Sequence, residues 1–111
     1  MSEINWEKKE NTQLIEAFLN LENTNEAKRF LRDLMTKDEI IEFANRLEAA
    51  RLLSRDMQYI GIIEKTGLSS TTIARISKWF KGSQGGYRLI LNRLNHHHNS
   101  SKLRKGLSLN T

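Results

Sequence analysis

Between residues 69 and 81 the chain carries Ser69, Ser70, Thr71, Arg75, Lys78 and Lys81, with no carboxylate among them. Small hydroxyl side chains let a backbone come close to a polyanion and bond its phosphates or base edges. An arginine can offer a bidentate pair to guanine. Lysines act as point charges toward phosphate, and Lys65 just upstream adds another. The chemistry this set suits is nucleic-acid recognition. Tyr59 joins it as a hydroxyl donor to phosphate.

No catalytic set competes with that reading. Cysteine is absent, no glycine-rich phosphate loop is present, and no serine sits in a glycine-flanked elbow. Histidine occurs only as His96, His97 and His98. Three consecutive histidines cannot all face one ion from a regular helix, so a polar tail is expected there rather than a metal site. The sequence therefore reads as a non-enzyme without metal or cofactor. The absence of cysteine also fits a reducing compartment, and no apolar run is long enough to span a membrane. A cytoplasmic, nucleoid-associated location is expected.

Charge is distributed unevenly along the 111 residues, whose net formal charge is +5. Residues 1–45 hold six Lys/Arg and ten Asp/Glu, a balance of −4; residues 46–111 hold twelve and three, a balance of +9. After Glu64 there are nine Lys/Arg and no acid. A solvated surface ordinarily mixes signs, so this stretch implies a polyanionic partner, with Lys102, Arg104 and Lys105 adding nonspecific attraction.

The elements that must position these residues are helices. Leu14, Ile15, Phe18, Leu19 and Leu21 recur at three- and four-residue spacing. Asn23 and Glu26 have capping-box spacing and open a second segment with Ala27, Phe30, Leu31 and Leu34 on one stripe. Thr36 and Glu39 form a better capping box, with two acids in the first turn. That helix carries Ile40, Ile41, Ala44, Leu47, Ala50 and Leu53 and is expected to reach Arg55. Along it, Arg46, Glu48 and Arg51 could form surface ion pairs. A short helix over 59–65 and another over 70–80 are separated by Gly67; Gly82, Gly85 and Gly86 precede a last helix with Tyr87, Ile90, Leu91 and Leu94 on one side. The expectation is an all-α domain of six helices over residues 1–95, then a basic polar tail, disordered over 96–111. The first stripes are too apolar for so small a chain to cover alone, which predicts homodimerisation. Trp6 and Trp79 are expected in the core or the dimer interface.

Residues 59–78, YIGIIEKTGLSSTTIARISK, have the pattern of a helix-turn-helix. Gly67 occupies the ninth place, where the turn needs a left-handed backbone. Leu68 anchors the turn, Ser69 or Ser70 caps the second helix, and Ile73 and Ile76 face inward. Ser69, Ser70, Thr71, Ala74, Arg75 and Lys78 then face outward, toward a major groove. Ile63, at the fifth place, departs from the pattern, because a small residue is usual there. A second class of function fits the same residues: a helical interaction module, with the motif as a mere corner, whose basic face binds an acidic protein or RNA.

The runs LMT-x-DE at 34–39, RLE-x-AR-x-L at 46–53, EKTG at 64–67 and GGYR at 85–88 resemble the tryptophan repressor family. The likeness is strongest to its small YerC/YecD-like branch and covers about residues 12–94. It implies an intertwined homodimer with paired reading heads and a role as a sequence-specific DNA-binding repressor, with double-stranded DNA and a second copy as partners. In the tryptophan repressor the amino acid sits between two arginines, which match Arg46 and Arg75. With Trp79 these form the candidate ligand pocket that the resemblance implies. The glycine after the second arginine is matched by Ile76, and a pocket serine by Trp79. Both replacements add bulk, which argues against tryptophan as corepressor and suggests that the Trp79 side chain partly fills the pocket.

Overall fold

The computed structural model describes the backbone of residues 3–107 and side chains through His96. Six helices follow one another: α1 (Lys9–Leu19), α2 (Thr24–Leu34), α3 (Lys37–Ser54), α4 (Tyr59–Thr66), α5 (Ser70–Lys81) and α6 (Gly86–Leu107). No strand occurs among the described residues. The all-α reading and the helix count hold.

The chain divides into two compact units, residues 1–40 and 41–111. In the first, the caps read from the sequence are formed. Asn23 accepts from the Glu26 N–H at 2.9 Å, and the Glu26 carboxylate reaches back to the Glu22 N–H at 3.0 Å. The return bond thus goes one residue beyond the box position. Thr36 and Glu39 bond each other's backbone N–H reciprocally, at 3.1 and 2.9 Å. Before α1, the Thr12 hydroxyl donates to the Trp6 carbonyl at 2.8 Å and folds the N-terminal segment onto the helix. Phe18 and Phe30 meet edge to face, with ring centroids 5.6 Å apart. Even so, no residue of α1 or α2 is buried.

The second unit holds the core. Ala49, Ala50 and Leu52 of α3, Ile62 of α4, Ile73 and Ile76 of α5 and Leu91 of α6 are buried together. Leu53, Met57, Ile63, Leu68, Phe80 and Tyr87 pack around them. Two alanines in sequence let neighbouring side chains approach the α3 backbone closely, so four helices share one small centre. Between α3 and α4 the chain turns through Asp56, which adopts a left-handed φ of 61°.

The last helix departs from expectation. Rather than giving way to a disordered tail after Asn95, α6 continues to Leu107. No glycine or proline stands between Gly86 and Gly106 to stop it. Residues 108–111 of the expected tail lie outside the described residues.

Candidate nucleic-acid interface

The interface is built on the joint between α4 and α5. At the end of α4, Gly67 takes a left-handed φ of 73° and its N–H closes on the Ile63 carbonyl at 2.8 Å. A side chain here would meet no steric neighbour but would strain the backbone. Thr66 secures the turn: its buried hydroxyl donates to the Ile62 carbonyl at 2.7 Å and accepts from the Leu68 N–H at 3.2 Å. The sequence pattern did not single out Thr66. Its signal was a hydroxyl side chain directly before the turn glycine. Ile63, large where the pattern prefers a small residue, is half-buried at the edge of the core, and the turn closes regardless.

Of the two serines offered as caps, Ser69 is the one used. Its hydroxyl oxygen accepts from the Thr72 N–H at 3.1 Å and lies 3.0 Å from the Thr72 hydroxyl. Ser69 is therefore committed to the helix start. No hydrogen bond of the described residues engages the Ser70 or Thr71 hydroxyl. Ile73 and Ile76 point into the core at 0% exposure, which fixes the rotation of α5. The opposite side presents Ser70, Thr71, Ala74, Arg75 and Lys78 to solvent.

Lys65, Arg75, Lys78 and Lys81 are exposed, and none is in an ion pair with the described residues. No acid follows Glu64 in the chain, and of these cations Lys65 feels the Glu48 carboxylate. Tyr59, in the first turn of α4, is exposed as well. Each residue offered for nucleic-acid contact is thus at the surface of the second unit.

Arg88 is a residue whose role the sequence did not indicate, although it lies in the quoted GGYR run. Its guanidinium donates to the Phe80 carbonyl, in the last turn of α5. Gly85, left-handed at φ 68°, leaves room for it: a Cβ there would stand 3.0 Å from the guanidinium.

The three residues of the candidate ligand pocket fall differently. Trp79 is 49% exposed and lines a cavity of about 630 Å³ with Leu47, Lys78, Tyr87 and Ile90. Neither Arg46 nor Arg75 belongs to that lining. Arg46 pairs with Glu42 at 2.6 Å, rather than with Glu48, and stands 5.5 Å from the Phe43 ring centroid. Its Nε is buried without a partner among the described residues. Glu48 pairs with Arg51 through two hydrogen bonds of 2.8 and 2.7 Å. That bidentate contact holds the Glu48 carboxyl below its ordinary range, against an opposing effect of burial. Burial raises the Tyr87 hydroxyl above the usual phenol range, and the Arg46 cation partly offsets this. No group of carboxylates and histidines suited to a metal ion occurs among the described residues.

A tight left-handed turn, a serine-capped helix and a basic exposed face are the features by which this chain can be compared with known proteins. Residues 9–95 match the family of the Trp repressor protein. The chain belongs to the Trp repressor family. An uncharacterised Bacillus subtilis (strain 168) protein, YerC, is 37% identical over 86 residues, 78% of this chain and 83% of its own length. The crystal structure of a TrpR-like protein from Eubacterium eligens ATCC 27750 superimposes with a TM-score of 0.76 at 34% identity, covering 81% of this chain and 93% of that one. A candidate Trp repressor from Staphylococcus aureus gives a TM-score of 0.76 at 31% identity, covering 84% and 96%. Membership in the Trp repressor family supports a helix-turn-helix regulator, and α4 and α5 are the helices that the tight turn at Gly67 joins. No helix among the described residues is long and apolar enough to cross a membrane.

Proposed function

We propose that the protein is a homodimeric, sequence-specific DNA-binding transcriptional repressor acting without catalysis in the cytoplasm at the nucleoid. The observation that carries this reading is the outer face of α5. Arg75, Lys78 and Lys81 are exposed there without ion-pair partners among the described residues, on a helix whose rotation is fixed by Ile73 and Ile76. Arg75 reads a base edge, Ser70 and Thr71 approach the backbone or bases, and Lys65, Lys78, Lys81 and Tyr59 bond phosphates.

Dimerisation follows from the first unit. Leu14, Ile15, Phe18 and Leu19 of α1 are exposed on a segment with no buried residue. A second copy gives these side chains a place to go and pairs the reading heads. Tryptophan does not serve as corepressor. Ile76, at the position matched to the family glycine, is a fully buried core side chain, which supports this reading.

Selection of bound duplexes from a random DNA library at physiological salt tests the proposal. The expected result is one enriched sequence with two half-sites about 34 Å apart, bound equally with and without an amino-acid mixture. Absence of enrichment, together with retained binding to RNA or an acidic protein, would replace the reading with that of an interaction module. Micromolar tryptophan binding in calorimetry would overturn the ligand-free reading.

A further inference from the structure

We infer that Arg88 is a positioning residue for the reading helix, clamping the last turn of α5 from the first turn of α6; this rests on the DNA-binding reading above. The last carbonyls of an α-helix have no partner within the helix and concentrate partial negative charge. In α5 those carbonyls belong to the turn that carries Lys78 and Lys81. The Gly82 N–H satisfies the Trp79 carbonyl at 3.1 Å. The Phe80 carbonyl is taken by the Arg88 guanidinium, eight residues further along the chain. A cation donating to a helix C-terminus is favoured both as a charge-assisted hydrogen bond and by the helix dipole.

The connecting segment is shaped for this contact. Gly85 turns the chain with φ 68° and accepts the Leu89 N–H at 2.9 Å, which starts α6. The space beside its Cα is filled by the guanidinium, since an added Cβ would lie 3.0 Å from the nearer nitrogen. Phe80 itself packs against the core, as does Tyr87, the neighbour of Arg88. The clamp therefore runs between two anchored points, and the cationic turn lies at one end of it. Arg88 acts on DNA binding through Lys78 and Lys81, without touching the duplex.

Two measurements on the full chain test this. The first is amide exchange over residues 77–82 in the protein alone. Arg88→Met keeps the stem and removes the donor, so exchange at Lys81 and Gly82 should accelerate by about three- to tenfold, and Arg88→Lys should recover part of the protection. Unchanged exchange overturns the clamp, whether or not the protein binds DNA. The second is a double-mutant cycle with Lys81→Ala, read as affinity for a mixed-sequence duplex across salt concentrations. A clamp makes the two losses sub-additive, because Lys81→Ala costs less once its turn is loosened. Additive losses, with the salt slope falling by about one unit for Arg88→Met in both backgrounds, would show a direct phosphate contact and overturn the inference. If the unaltered protein bound no duplex at any salt, the DNA-binding reading would fall and the exchange result alone would decide the clamp.

Discussion

Residues 3–40 and residues 41–96 were built from similar materials and ended differently. Both contain amphipathic helices with aliphatic and aromatic stripes. In the first region no side chain is buried, although Phe18 and Phe30 pack edge to face and both capping pairs are formed. In the second, seven side chains close a core from four helices. Helices can thus be fully specified by local signals while their apolar faces stay open. The first region leaves its apolar stripe exposed, whereas the second buries Ile73 and Ile76 and so holds α5 at a fixed rotation.

The sharpest way to break that contrast is to remove one large apolar side chain from each region. Ile73→Ala should cost about 2–5 kcal/mol, seen as a drop in urea midpoint that is the same at all protein concentrations. Where burial comes from a second copy, the midpoint of the unaltered chain should rise with protein concentration, and Phe18→Ala should weaken that rise. A concentration-independent loss for Phe18→Ala would mean that the first region has a core of its own.

On α5 the expected effects are smaller. Arg75→Ala should weaken binding to a selected duplex by about 1–3 kcal/mol and relax one base preference. Lys78→Ala should weaken all sequences alike and flatten the salt slope by about one unit. Loss of the cap by Ser69→Ala should lower stability by about 0.5–2 kcal/mol, measurable as a shift in urea midpoint. Thr36→Ala, which removes an equally well-formed cap from the first region, should cost a similar amount if local signals act alike in both.

The smallest effect concerns acid. Arg51 depresses the Glu48 carboxyl in the folded chain. A depressed carboxyl stabilises at pH above the unfolded value of about 4.5 and loses that contribution as pH falls through the folded one. Both side chains are partly exposed, so solvent screening limits the contribution to about 0.2–0.5 kcal/mol. Urea midpoints of the unaltered chain and Glu48→Gln should differ slightly at neutral pH and converge below the folded carboxyl's range.

Much of this molecule is legible along the chain because the deciding interactions are local. Gly67 at a left-handed turn, Ser69 as a cap and the paired Thr36 and Glu39 each act within three or four residues. The inward set Ile62, Ile73 and Ile76 follows from helical spacing alone. The residues that escaped are those whose partners are set by packing. Arg88 finds the Phe80 carbonyl only because α6 turns back at Gly85. Arg46 has two local candidates on α3, Glu42 and Glu48, and pairs with Glu42 while Arg51 takes Glu48, a choice that spacing alone leaves open. Trp79 and Arg75 lie four residues apart on one helix, and Trp79 lines the cavity while Arg75 faces solvent.

By itself, then, the sequence determined the helices, their caps, the turn between α4 and α5 and the one-sided charge, since backbone bonds and side-chain spacing at short range are enough to decide them. Tertiary structure alone decided which apolar faces are satisfied and which cation meets the last turn of α5. Those outcomes depend on where a distant carbonyl or a neighbouring helix comes to rest, and no short-range pattern in the chain encodes that position.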